Sequence, residues 1–185
     1  MKMNRFAHPV SLLAFLLLLG GGAHAGDTSR PDAVAKSDLT GVWLLDLEES
    51  DPIEPMLEAM DAPWIVRKMA PMMTPTMTIT ALPHGGVRVI NDNPIRTTRQ
   101  EIFVDDTFRE REDPLGRKVV SKASWNERGA LVVSQKNYVE EDRSVQITST
   151  WHREANELSI TNRIERKDGP VIVRRLFRPA TGAAD

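Results

Sequence analysis

The sequence predicts an all-β protein: a ten-stranded antiparallel up-and-down barrel with two short lid helices between the first and second strands. Three observations carry this. From residue 39 onward, short segments rich in β-branched and alternating apolar residues are separated at regular intervals by turn-forming residues. Between residues 50 and 75 that rhythm breaks into a proline- and methionine-rich stretch with helical spacing. Short loops between successive strands make neighbours antiparallel, and closing the sheet removes the edges that ten strands would otherwise expose.

The strands are expected at 39–47, 76–82, 86–91, 95–104, 107–112, 117–125, 130–138, 144–153, 157–166 and 170–178. His84-Gly85, Asp92-Asn93-Pro94, Asp105-Asp106, the 113–116 and 126–129 segments, 140–143, Ala155-Asn156 and Lys167-Asp168-Gly169 supply the turns. The first helix should start after Ser50-Asp51-Pro52, with Ser50 or Asp51 as cap and Pro52 in the first turn. Asp61-Ala62-Pro63 repeats the signal for the second. Met56, Leu57 and Met60 form one apolar stripe, and Trp64, Ile65 and Met69, or Trp64 and Lys68 with the arginine turned outward, form the other. Helices this short are unstable alone in water, so both must lie on the barrel.

The order Gly41-x-Trp43, an acidic serine-containing bend, a short alanine-containing helix, Arg67-Lys68 and then Pro75-Thr76 resembles the intracellular lipid-binding branch of the calycins, the cytosolic fatty-acid-binding proteins. The stretch from Phe103 through Lys118 continues the resemblance, with Asp105 or Asp106 where that family often has glycine. It covers nearly all of the chain beyond the first 37 residues. It implies a lipocalin-like barrel that holds a fatty acid or similar hydrophobic anion and carries it without chemistry.

Alternation on the late strands sorts inside from outside. Val145, Ile147, Ser149, Trp151 and Arg153 share one face, and Val171, Val173, Arg175 and Phe177 share another, so each apolar face carries an arginine. A buried guanidinium needs an anion, a buried acid or water, and its fork suits a carboxylate. The resemblance implies that Arg153, in His152-Arg153-Glu154, and Arg175, in Arg175-Leu176-Phe177, hold the ligand carboxylate. Phe177 stands where the family has a tyrosine. The alternative is that Arg153 ends its strand in solvent and Arg175 is neutralised by an interior acid. Met56, Met60 and Trp64 of the lid are the expected apolar contacts, since flexible methionines suit adaptable surfaces; ordinary lid-to-barrel packing is the alternative. Trp43 is expected to plug the closed end.

Residues 1–25 read as a signal peptide: Lys2 and Arg5, an apolar run from Val10 to Leu19, then Ala23-His24-Ala25. Residues 26–37 read as a flexible leader, 38–179 as the barrel domain and 180–185 as a tail. A periplasmic or secreted, monomeric product without a stable membrane anchor follows. The formal charge is −2, and removal of Lys2 and Arg5 makes it −4, which argues against nucleic acid. With no cysteine there is neither a disulfide framework nor a lipidated cysteine. His84 and His152 are too far apart in sequence for a zinc pattern, and no nucleophile elbow or phosphate loop occurs. No cofactor, metal or catalytic residue is expected. The competing reading is a filled barrel acting as a cell-envelope protein-interaction module; an enzyme of the wider calycin group is a third.

Overall fold

The computed structural model describes residues 36–112, 116–139 and 143–180. The expected signal peptide, most of the leader and the last residues of the tail therefore lie outside the described residues. Ten antiparallel strands form one sheet: β1 (Gly41–Asp46), β2 (Thr76–Ala81), β3 (Val87–Asp92), β4 (Thr97–Ile102), β5 (Arg109–Glu112), β6 (Lys118–Trp125), β7 (Leu131–Tyr138), β8 (Ser144–Glu154), β9 (Glu157–Ile164) and β10 (Val171–Pro179). Each pairs with its sequence neighbours except that β4 does not pair with β5, and β1 also pairs with β10, which joins the two halves. β4 and β5 are the edges, with no ladder between them among the described residues. The sheet nevertheless curls on itself. Val87 and Ile102 from one half share a single core with Ala123, Leu131 and Val133 from the other.

Several boundaries differ from the sequence reading, each for a local reason. Asn93 Oδ1 accepts from the backbone N–H groups of Ile95 and Arg96, so β4 starts only at Thr97. Asp105 Oδ1 accepts from Thr107 N–H and delays β5 to Arg109. Ser37, assigned to the leader, donates from its backbone to Gly129, and Ala180, assigned to the tail, donates to Val42.

The lid comprises α1 (Glu54–Ala59) and α2 (Trp64–Met69), followed by a 3₁₀ turn at Ala70–Met72. Neither helix has a side-chain cap. Ser50 and Asp51 are instead used by β10: Leu176 N–H donates to Ser50 Oγ, Arg174 N–H to Asp51 Oδ2, and Asp51 N–H to Arg174 O. The bend after β1 thus rejoins the sheet before the lid begins.

The strand register divides the barrel into two ends. The far end is packed solid by Trp43, Leu45, Met77, Leu131, Leu158 and Phe177, with Trp125 and Trp151 against them. The segment 37–40 straps it shut: Leu39 is buried, and Trp43 Nε1 donates to its carbonyl at 3.1 Å. At the lid end, α1 seats Ala59, Met56 and Met60 on Ile147, Ile164, Val145 and Val171. No residue of α2 is buried.

Candidate functional site

Between α2 and the inner faces of β4 to β7 lies a cavity of about 670 Å³. Leu57, Met60, Ile65, Val66, Met69 and Met73 form its roof, and Gln100, Arg111, Val119, Gln135 and Asn137 form its wall. The pleat places the wall residues. β7 pairs so that Gln135 faces Ile147 and Asn137 faces Val145, and Val119 of β6 sits opposite Asn137. Leu131 and Val133 point the same way nearer the far end, so one strand face runs from apolar to amide as it approaches the lid. Arg96 and Arg117, from the turns at this end, complete the lining. These arginines and Arg111 hold interactions of their own. A second opening, about 540 Å³, lies between the unpaired edges β4 and β5 and shares Arg96, Gln100 and Arg111 with the first.

The six residues expected from the sequence are not brought together. Arg153 is on the inner face, opposite Leu158, but at the far end. Its Nη1 donates to the carbonyls of Asp38 and Thr40 at 3.1 and 3.3 Å, and Nε donates to Ala155 O at 3.3 Å. The guanidinium also stands 5.2 Å from the centre of the Trp43 ring. It clamps the strap to the barrel. Arg175 is on the row of Ile160 and Trp151 and is 8% exposed. Its Nη1 donates to Asp51 O at 2.8 Å, which ties the entry of the lid to β10. Burial lowers its pKa from the ordinary value, and Asp51 and Glu54 offset part of that. Phe177 belongs to the packed core. The two arginines share no partner, and neither they nor Phe177 line the cavity.

Of the lid residues, Met60 lines the cavity, Met56 backs α1, and Trp64 is 64% exposed and outside the lining. Gln100, Gln135 and Asn137 were passed over in the sequence. The signal that finds them is the alternation already used for β8 and β10, applied to β4 and β7. Inside the barrel Ser149 Oγ donates to Asn162 Oδ1 at 2.6 Å, whereas Asn137 Oδ1 and Trp151 Nε1 are buried without a hydrogen-bond partner. Among the described residues no three metal-ligating side chains gather.

No family model matches the chain, and no curated protein sequence matches it. Solved structures do match in shape. Fatty-acid-binding protein 1 of Echinococcus granulosus superposes with a TM-score of 0.64 at 20% identity, covering 77% of this chain and 98% of that one. Apo lipid binding protein 8 of Caenorhabditis elegans gives 0.64 at 19% identity, covering 79% and 100%. A Schistosoma mansoni fatty acid binding protein in complex with arachidonic acid gives 0.63 at 16%, covering 77% and 96%. The fold is like that of these fatty-acid-binding proteins, as the Gly41-x-Trp43 order suggested; at these identities the likeness is one of fold.

Proposed function

We propose that the protein binds a hydrophobic ligand with a polar end, a fatty acid or similar apolar acid, in the cavity beneath α2 and carries it without chemical change. The observation that carries this reading is the cavity itself: a space of about 670 Å³ with a flexible apolar roof and a wall of amides and guanidinium groups. Its volume is in the range of small-molecule sites, and its few polar groups are placed to orient a ligand rather than to react with it. Sequestering roughly ten methylenes at about 0.8 kcal/mol each gives about 8 kcal/mol before ordering costs, enough for roughly micromolar affinity. The fold shared with the nematode and flatworm lipid-binding proteins supports the same reading.

Of the residues expected from sequence, Met60 is the direct contact, with Met56 behind it; Arg153 and Arg175 hold the strap and the lid entry. The protein acts as a monomer after export to the periplasm. Native mass spectrometry of the protein recovered from the periplasmic fraction, with organic extraction and uptake of a fluorescent fatty acid, tests this. A bound or acquired acyl ligand that Val66→Glu expels, with the fold intact, is the expected result. An empty protein that takes up no apolar acid overturns it.

A second reading has its own observation. Trp64, Ile65, Met72 and Ile95 are exposed near the lid, and Lys68 is exposed beside Trp64 and Ile65, an apolar surface with a basic group suited to an envelope protein. An unliganded protein that cross-links to one envelope protein through this face would favour it.

A further inference from the structure

We propose that the cavity roof is an oxidation-sensitive site: a two-electron oxidant of the peroxide class converts Met69, and after it Met73, to methionine sulfoxide, and the oxidised roof releases the ligand held beneath α2. This rests on the ligand-binding reading above and adds its regulation.

The chain has no cysteine, so no thiol competes for such an oxidant and the methionines are its reactive sulfurs. Beyond the expected signal peptide they fall in one stretch, at positions 56, 60, 69, 72, 73 and 77, and their surroundings are graded. Met69 is 39% exposed and also lines the cavity; Met73 is half-buried and lines it too. Met72 is 84% exposed but stands outside the lining. Met60 belongs to the lining, yet it packs with Met56 on the Ile147 cluster. Met77 is 2% exposed in the solid far end. An oxidant dissolved in water reaches an exposed thioether before a packed one. Of the six, Met69 alone is both exposed and part of the roof.

The sulfur lone pair attacks one oxygen of hydrogen peroxide. An S–O bond forms as the O–O bond breaks, sulfur gives up two electrons, and the second oxygen leaves as water with the proton of the first. A flexible apolar side chain becomes a polar one that accepts hydrogen bonds. Against an alkyl chain the new oxygen has two courses. It faces the ligand without a donor, which is costly, or it turns to water and takes the side chain out of the roof. Both remove apolar contact from the ligand. α2 buries none of its residues, so the barrel keeps its fold when the roof is oxidised. Reduction by a dithiol-dependent sulfoxide reductase reverses the change, the oxygen leaving as water while the dithiol becomes a disulfide.

The test is limited treatment with hydrogen peroxide, peptide mass spectrometry to place each sulfoxide, and titration of a fluorescent fatty acid before and after. It uses the wild type, the double variant Met69→Leu with Met73→Leu, and Met72→Leu; leucine is close to methionine in volume and carries no sulfur. Met69 and Met72 should oxidise first, Met73 next, and Met56 and Met77 last. Oxidised wild type should bind the probe about tenfold more weakly than its reduced form, with the thermal melt of the barrel retained. Each variant is compared with its own reduced form: Met72→Leu should lose the same factor and the double variant none. If the double variant fails to fold, recovery of wild-type affinity on treatment with sulfoxide reductase decides, and no recovery overturns the switch. Unchanged affinity once Met69 and Met73 are oxidised, a loss that persists in the double variant, or a loss that accompanies unfolding overturns it while the ligand reading stands. A reduced chain that takes up no fatty acid overturns the ligand reading, and the switch with it.

Discussion

Arg153→Met is the substitution that separates a structural clamp from a ligand anchor. The side chain donates three hydrogen bonds to the carbonyls of Asp38, Thr40 and Ala155 and stacks over Trp43. Methionine keeps most of the apolar stem and removes the charge. A charged donor to a carbonyl contributes about 1.5–3 kcal/mol at best, but this side chain is 32% exposed and its partners can turn to water, so the set is worth about 1–2 kcal/mol. The ring contact adds about 0.5–1 kcal/mol. The total is about 2 kcal/mol, or about 4–8 °C in Tm for a domain of this size. Ligand affinity should be unchanged, because Arg153 lies at the packed end. Thermal and urea melts followed by circular dichroism, with fatty-acid titration alongside, measure both quantities. A Tm equal to wild type together with a tenfold loss of affinity would refute the clamp and restore the anchor expected from sequence.

Two further outcomes are accessible to the same instruments. Gly86 has φ +101°, and a Cβ there would lie 2.1 Å from Ile102 O, whereas Gly85, at φ +87°, has nothing within 4 Å. Gly86→Ala should therefore cost more than about 3 kcal/mol and Gly85→Ala about 1–2 kcal/mol, the cost of the left-handed backbone alone; equal losses in urea melts would count against this. Asp105 is held well below the usual carboxylate range, first by the hydrogen bonds from Arg109, at 2.7 and 2.6 Å, with Thr107 N–H adding to them. Its folded pKa lies below its unfolded value near 4, so its contribution is complete above about pH 4 and is lost as pH falls towards the folded value. Asp105→Asn retains an acceptor for Thr107 N–H and removes the charge. The Tm gap between wild type and variant should close on acidification below about pH 4, and a gap independent of pH would show that the pair contributes nothing.

Strand number, order and inner faces were legible because alternation and turn chemistry are local and repeat ten times along the chain. What was not legible depends on partners remote in sequence. Ser50 and Asp51 are good helix caps by type, and the same oxygens serve β10 because β1 brings them beside Leu176 and Arg174. Arg153 was correctly placed on the inward face, but its role is set by the strap at Asp38 and Thr40, 115 and 113 residues away. Nothing near Arg153 reports which barrel end is filled. Asn137 is the opposite case. Its face follows from alternation with Leu131, Val133 and Gln135, and only its lack of a partner required the structure.

The two lid helices rest on different ground, and that difference bears on how a ligand would enter. The inner face beneath α1 is apolar, with Ile147, Ile164 and Val171, and α1 seals it with buried Ala59 and the adjoining methionines. Lifting α1 would expose that cluster and break the Asp51 attachments to Arg174 and Arg175. The face beneath α2 carries Gln100, Arg111, Gln135 and Asn137, which cannot close on an apolar helix without leaving amides unpaired. α2 accordingly buries none of its residues and leaves a space beneath it. The polar wall thus keeps α2 loosely seated, and ligand access should run beneath α2 while α1 stays in place.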